Sequence, residues 1–411
     1  EYELIKVGFR VVVSFGSKKL YTGIVLNKSK NKNIEYDLKE IKFIVDDFAC
    51  VSQSQINFFK WISQYYMCPL GNVFESALPK SFLIKSESVL IAKNKFIDDN
   101  ISEKSIKILE KINEKNEIIL KDLSKLFDNS IINNVNELIY KEYIEIKEEV
   151  FSSYSQKFQN FYSINSSIEI KSLKLRSDKQ KKIMDYFVQN NHIQNHLKYN
   201  IMKDCDVSSN VIEGLVKKKL IIKNKIKVDR LSFQNGIKEK KIILSNSQLK
   251  AFKQIKNNFL NSNVVNLLGV TSSGKTEIYI SLILEYLKSG KSVLFLVPEI
   301  ALTTQLLLRF KEFFSNELIV YHSSISQNIR HEMWNELNST NSPKIILGVR
   351  SSIFLPHKNL SLIIVDEEHE NSYKQFDPMP RYNARDCAIF LSKFLNINCL
   401  LGSATPCLLY T

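Results

Sequence analysis

Hydrophobic residues in the first fifty positions fall in short runs, Val11 to Val13, Tyr21 to Leu26 and Ile41 to Val45, broken by Gly16-Ser17 and by the polar stretch Asn27 to Asn33. Short apolar runs bounded by turn-forming residues predict strands, so residues 1–100 are assigned to a small β domain, a barrel or an open sheet. The spacing then changes. Phe58, Phe59, Trp61, Ile62, Tyr65 and Tyr66 recur at helical intervals up to Cys68-Pro69-Leu70-Gly71. They predict a helix whose aromatic face either packs in a core or stacks on bases.

Between residues 104 and 228 one pattern occurs twice. Leu120, Val135, Leu138, Ile139, Tyr143 and Ile144 return as Leu197, Ile212, Leu215, Val216, Leu220 and Ile221, each 77 positions later. Helices followed by an extended segment make a winged-helix pattern, and two such modules are placed at 101–175 and 176–235. The third helix or the wing of such a module can contact DNA; docking to protein, or simple spacing, fits the same fold. A polar stretch, 229–243, follows. Beyond it, apolar strands at Val264 to Leu268, Ser292 to Val297, Leu318 to Tyr321, Lys344 to Leu347, Leu362 to Val365 and Cys399 to Leu401 alternate with helical segments. That alternation predicts, for 236–411, a parallel sheet covered on both faces.

Composition adds three constraints. With 411 residues, 44% of them hydrophobic, the chain can bury two to four cores. The net charge is +14, and because residues 244–411 hold 16 Lys+Arg against 13 Asp+Glu, +11 of it lies in residues 1–243. A basic excess concentrated there favours a polyanionic partner. The six cysteines form no C-x-x-C pair, which argues against a zinc knuckle or disulfide framework and for buried thiols in a reducing cytoplasm. No apolar run approaches membrane-spanning length, so no membrane partner is expected.

Chemistry concentrates in the last third. Gly269-Val270-Thr271-Ser272-Ser273-Gly274-Lys275-Thr276 follows an apolar strand and opens a helix, the context in which G-x-x-x-x-G-K-[ST] is a phosphate loop. Backbone N–H groups from Gly269 through Gly274, including Thr271, Ser272 and Ser273, would turn in around phosphate oxygens at a helix N-terminus. Lys275 would reach the β- and γ-phosphates and Thr276 would ligate Mg²⁺, so ATP and Mg²⁺ are the expected cofactors. The strand Leu362 to Val365 delivers Asp366 to its tip to hold the Mg²⁺ shell, with Glu367 beside it to polarise the attacking water. Lys275 and Asp366 are expected to converge on one nucleotide at the tips of neighbouring strands. Gly402-Ser403-Ala404-Thr405-Pro406 follows a third strand. Ser403 and Thr405 can hydrogen-bond the Asp366 to His369 loop and report nucleotide state.

In this order and spacing the chain resembles superfamily 2 helicases, and within them the PriA family of replication-restart helicases. Asp366-Glu367-Glu368-His369 stands where most superfamily members carry Asp-Glu-Ala-Asp or Asp-Glu-Ala-His. Pro298 to Thr303, Tyr321-His322-Ser323, Gly348 to Ser351 and Ser372 to Gln375, running on through Arg381 to Asp386, match further. The resemblance implies a multidomain fold: a small N-terminal β domain, winged-helix-like α+β modules and an α/β RecA-like P-loop lobe with a parallel sheet. It implies an ATP-dependent 3′-to-5′ DNA helicase, cytoplasmic and nucleoid-associated in a bacterium, that recognises branched forks and helps load the replicative helicase. An ATP-switched, DNA-structure-binding scaffold without unwinding is the alternative. Implied partners are branched and single-stranded DNA, primosome proteins, single-stranded DNA-binding protein and the replicative helicase.

The resemblance also assigns residues. Gln248 would read adenine. Thr303, Gln305, His322 and Arg350 would line the single-stranded DNA track. Tyr373, Phe376 and Tyr382 would stack on bases from an aromatic-rich loop that runs to Arg385. Gly16 and Lys39 would hold a 3′ end, either that or serve as a turn glycine and a surface lysine. Ser272 stands where the family usually has Gly, and Asn383 where it often has His. The chain opens at Glu1 without Met and closes at Thr411, so it is expected to be a fragment. The second lobe with its arginine finger, and the cysteine-rich zinc module, would lie outside it, leaving turnover slow or absent.

Overall fold

The computed structural model describes residues 5–15, 19–29, 38–83, 85–93, 101–127, 131–151, 154, 156–165, 177–190, 195–227, 242–270, 272–314 and 317–405. Gly16, Thr271, Pro406, Cys407 and all but the last two residues of the polar stretch 229–243 lie outside them. The chain forms two compact units, residues 1–154 with 233–411, and residues 155–232.

The first apolar runs form β1 (Arg10–Phe15), β2 (Lys19–Ile24) and β3 (Ile41–Ile44), antiparallel in the order β3-β1-β2. Helix α1 (Gln53–Tyr65) starts at a capping box in which Ser52 and Gln55 satisfy each other's backbone N–H groups. α2 (Leu70–Ala77) follows Pro69. The aromatic face of α1 packs rather than projecting: Phe58, Phe59 and Ile62 are buried, and the Trp61 ring lies 3.7 Å from that of Phe390, nearly parallel to it. Further bonds seat the N-terminal residues on the last third of the chain. Trp334 Nε1 donates to the Cys50 carbonyl, Gln55 Nε2 to that of Phe354, and the Asn383 N–H to Tyr66 Oη.

The 77-residue repeat is structural. Its first copy runs β4 (Lys85–Ala92), α3 (Glu103–Lys115), β5 (Glu117–Ile119), α4 (Leu120–Phe127), α5 (Ile132–Tyr140) and β6 (Ile144–Phe151), with β4 paired to both β5 and β6. The second runs β7 (Phe158–Ile164), α6 (Asp178–Gln189), β8 (His196–Leu197), α7 (Lys198–Cys205), α8 (Ser209–Lys217) and β9 (Ile221–Lys227), with β7 paired to both β8 and β9. Each copy has its own apolar core, around Leu90, Ile108 and Leu138 in one and around Tyr162, Ile183 and Leu215 in the other. The turn into the last strand repeats residue for residue. Glu142 and Lys219 take φ values of 59° and 58°, and the next residues, Tyr143 and Leu220, donate back to Leu138 and Leu215. Strand β7, which sequence placed with residues 101–175, is the central strand of the second copy, so each module begins one strand earlier than the pattern of helices suggested.

Residues 242–405 form the parallel α/β lobe. Its helices are α9 (Asn246–Phe259), α10 (Lys275–Lys288), α11 (Thr304–Phe314), α12 (Gln327–Ser339) and α13 (Ala384–Leu395). Its strands are β10 (Val264–Leu268), β11 (Ser292–Leu296), β12 (Leu318–Tyr321), β13 (Ile345–Gly348), β14 (Leu360–Val365) and β15 (Asn398–Ser403). All strand pairs are parallel, in the order β10-β15-β14-β11-β13-β12. β11, β13 and the inner part of β14 are buried along their length, as sheets covered on both faces require. One expectation is corrected. β10 and β14 are not neighbours; β15 lies between them, and the phosphate loop faces Asp366 across its tip. Five cysteines, Cys50, Cys68, Cys205, Cys387 and Cys399, are free and buried. Among the described residues no helix is long and apolar enough to cross a membrane, and no cluster of His, Cys, Asp or Glu could hold a metal ion by itself.

Candidate nucleotide site and nucleic-acid face

Loops at the carboxyl ends of parallel strands share one edge of the sheet. That edge collects the phosphate loop after β10, Thr303 and Gln305 after β11, His322 after β12, Arg350 after β13, residues 366–383 after β14, and Ser403 to Thr405 at the end of β15. Gly274 caps α10 at φ +83°, and Ser272 sits at φ +62°. Left-handed backbone costs a non-glycine residue roughly 1–2 kcal/mol, so the loop holds its curl at Ser272 against local preference. Lys275 Nζ donates to the Gly269 carbonyl at 2.8 Å and stands 3.3 Å from Glu367 Oε1. Thr276 occupies the next position of α10, half-buried. Gln248 is the N3 residue of a capping box on α9; its Oε1 accepts from the Ser245 N–H and its Nε2 donates to the Gly274 carbonyl at 3.3 Å. It therefore lies against the phosphate loop, and a Cβ at Gly274 would come within 2.1 Å of its nitrogen.

Asp366 Oδ1 accepts from Tyr279 Oη at 3.0 Å and from the Glu367 N–H at 3.1 Å. Burial outweighs these bonds and holds its carboxyl above the usual carboxylate range, with the Glu367 charge adding to the rise and Lys275 opposing it. A half-buried carboxylate at a strand tip, beside a lysine ammonium and the phosphate loop, fits a magnesium-bound phosphate. Glu367 itself sits at φ +45°, a second non-glycine residue in left-handed backbone. Its Oε2 accepts from the Ala404 N–H at 3.3 Å. His369 bridges outward: Nδ1 is 2.8 Å from Ser403 Oγ and Nε2 is 3.2 Å from Thr405 Oγ1. The residues expected to report nucleotide state are thus joined directly to the acidic loop.

Tyr279, and the reason for glycine at 402, went unnoticed in the sequence. Tyr279, fully buried on α10, reaches over β15 to Asp366, and it can do so only because position 402 is glycine: a Cβ there would lie 1.8 Å from Tyr279 Oη. The strand inserted between β10 and β14 makes that small residue necessary.

The nucleic-acid residues separate into exposed and buried groups. Thr303 and Gln305 are exposed, with Thr303 Oγ1 capping α11 through the Leu306 N–H; His322 and Arg350 are half-buried. Arg350 Nη1 donates to the carbonyls of Ser372 and Lys374, bracing the loop after β14. In that loop only Phe376, 69% exposed, offers its ring to solvent. Tyr373 and Tyr382 are expected to stack on bases, but in this structure both are buried. Tyr373 Oη donates to the carbonyls of Leu296 and Asp366, and the Tyr382 ring packs edge-on against Phe354. Arg385, likewise assigned to DNA, is buried and held by Glu368 at 2.9 Å and Asp386 at 3.1 Å. Packing has taken these three side chains because the loop folds back on the lobe. Lys39 is exposed two residues before β3.

Comparison with known proteins follows the same division. Residues 245–407 match the DEAD/DEAH box helicase family and residues 1–79 match the 3′ DNA-binding domain family. The replication restart protein PriA of Bacillus subtilis (strain 168) is 29% identical over 415 residues, covering 98% of this chain and 50% of the relative. Its namesake in Chlamydia trachomatis serovar D is 31% identical over 409 residues, 98% of this chain and 46% of the relative. That of Haemophilus influenzae is 45% identical over 212 residues, 49% of this chain and 28% of the relative. The chain spans about half the length of the first two relatives.

Proposed function

We propose that the chain belongs to the PriA family of replication restart helicases and that it carries the nucleotide-binding and fork-binding parts of an ATP-driven 3′-to-5′ DNA motor. Lys275 binds the β- and γ-phosphates, and Thr276 and Asp366 hold Mg²⁺. Glu367 orients the attacking water, and Gln248 reads the base. His369, Ser403 and Thr405 carry the state of the acidic loop toward DNA held across Thr303, Gln305, His322, Arg350 and Phe376. Gly16 and Lys39 belong to a pocket for the 3′ end at a branch. Branched DNA, primosome proteins, single-stranded DNA-binding protein and the replicative helicase are its partners.

One observation carries the reading: the Lys275 ammonium lies 3.3 Å from Glu367, beside a half-buried Asp366 whose carboxyl is held above its usual range by desolvation. ATP supplies the phosphoryl group, and catalysis of its transfer is mostly positioning and charge stabilisation. The chain's own contribution is to place one ammonium, two carboxylates and a helix N-terminus around it. A transition-state arginine is worth about 10³–10⁵ in rate in such enzymes. The test is DNA-stimulated phosphate release by the intact protein: Lys275→Ala should abolish it, and equal activity in the variant would overturn the motor reading.

A further inference from the structure

The two copies of the repeated module share a fold but not a charge. From the start of the first helix to the end of the last strand, residues 103–151 hold eight lysines against eleven acidic residues, a balance of −3. The matching residues 178–227 hold eleven lysines against five acidic residues, a balance of +6. At the 77-residue offset the changes fall on the third helix, the turn after it and the last strand. Tyr140, Glu142, Ile146 and Glu148 in the first copy become Lys217, Lys219, Lys223 and Lys225 in the second. Those four lysines are exposed. Glu142 and Lys219 even share the same left-handed turn position, so backbone shape does not account for the switch in sign.

The interior of the third helix diverges in the same sense. In the first copy Glu137 on α5 accepts from Ser105 Oγ of α3 at 2.6 Å, and Asn134 donates to Ser102 and Ser105, a polar clasp between the two helices. Gly214 replaces that glutamate on α8, and a Cβ there would meet only Gln180 Nε2, at 3.9 Å. The glutamate clasp is replaced by a bond from Lys218 Nζ, at the end of α8, to Gln180 Oε1 of α6 at 3.0 Å, and the helix surface at position 214 is left small. α8, the turn after it and β9 have no aromatic side chain of their own; Lys217, Lys218, Lys219 and Lys225 are exposed, Lys223 lies 3.7 Å from Glu213 of α8, and Lys225 Nζ stands 5.0 Å from the Phe158 ring on β7. That surface is richer in ammonium groups than in rings, which suits phosphate binding more than stacking on unpaired bases. A single helix fits the roughly 12 Å major groove of a duplex, with lysines on the adjoining strand placed for its backbone.

We infer that the duplicated modules have divided their work: the second grips double-stranded DNA along α8, Lys217 to Lys219 and β9, and the first is a brace without a nucleic-acid face. Only the choice of DNA over another duplex rests on the function proposed above. The test uses the whole chain and a fluorescent 20-base-pair duplex. Lys219→Glu with Lys225→Glu copies the first module's residues at those positions. It should weaken binding at least tenfold at about 0.1 M salt and lower the slope of log affinity against log salt by about 2, one for each phosphate no longer neutralised. The control makes the same charge change on the first copy, Lys107→Glu with Lys115→Glu, and should alter affinity less than threefold. Equal losses for the two pairs would mean that only bulk charge matters, and no loss in either would remove the second copy from the interface. A single strand competing better than the duplex would replace the occupant assigned here. Each of these outcomes overturns the inference while leaving nucleotide binding intact, whereas a wild-type chain that binds no DNA would instead defeat the proposed function.

Discussion

Glycine at position 402 is predicted to be indispensable because of a hydroxyl and not because of its own backbone. Tyr279 is fully buried, its ring lies against Phe295 at 5.5 Å, and its Oη is fixed on Asp366. A methyl at 402 would meet that oxygen at 1.8 Å and the ring carbon bearing it at 2.9 Å, so the buried ring must shift. Overpacking of a tight core costs about 1–3 kcal/mol. Losing a buried hydrogen bond to a charged acceptor adds about 1.5–3 kcal/mol. Gly402→Ala should therefore destabilise the unit of residues 1–154 and 233–411 by about 3–5 kcal/mol, read in urea unfolding by tryptophan fluorescence. Trp61 and Trp334 are the only tryptophans and both lie in that unit. Tyr279→Phe removes the obstructing oxygen, so the double variant should recover about half of the loss. A neutral Gly402→Ala, or a double variant no better than the single one, would refute the reasoning.

Two further outcomes follow from strain and burial. Ser272→Gly should be neutral or stabilising by up to about 1 kcal/mol, whereas Ser272→Val should cost about 1–2 kcal/mol, because position 272 is exposed and held at φ +62°; urea midpoints of the two variants decide it. His357, its ring nitrogens shut off from solvent, is held down to about 4 by burial, from an ordinary value of 6.5. The folded value lies below the unfolded one, so the unfolded chain takes up the extra proton between those limits. Stability is complete above pH 6.5 and falls by up to about 3 kcal/mol as pH drops toward 4. His357→Leu should flatten that part of the profile, and an unchanged pH dependence would count against it.

Much of this architecture was legible from the residues. The phosphate loop and the Asp366 loop announce themselves because apolar strands lead straight into them, and the repeat because six core positions return at one spacing. Local pattern cannot reveal long-range neighbours, however. Nothing near Leu400 says that β15 enters between β10 and β14, so the need for glycine at 402 and the reach of Tyr279 stayed hidden. Strands β4 and β7 escaped assignment to the modules because a strand's partners lie far along the chain. Aromatic residues are ambiguous for a related reason. Tyr373, Tyr382 and Trp61 have the side chains that stack on bases, yet each is used in packing or in bonding to backbone, and only the tertiary fold separates those uses from Phe376.

The central claim is that Lys275 and Asp366 serve one magnesium-bound triphosphate. Isothermal titration of the chain with ATP, with and without Mg²⁺, tests it most directly. Wild type should bind with a Mg²⁺-dependent gain. Lys275→Ala should lose about a hundredfold in affinity, roughly the strength of a buried charged hydrogen bond. Asp366→Asn should abolish the Mg²⁺ dependence while retaining weak binding. Wild-type affinity in Lys275→Ala, or a Mg²⁺ gain that survives in Asp366→Asn, would contradict the account.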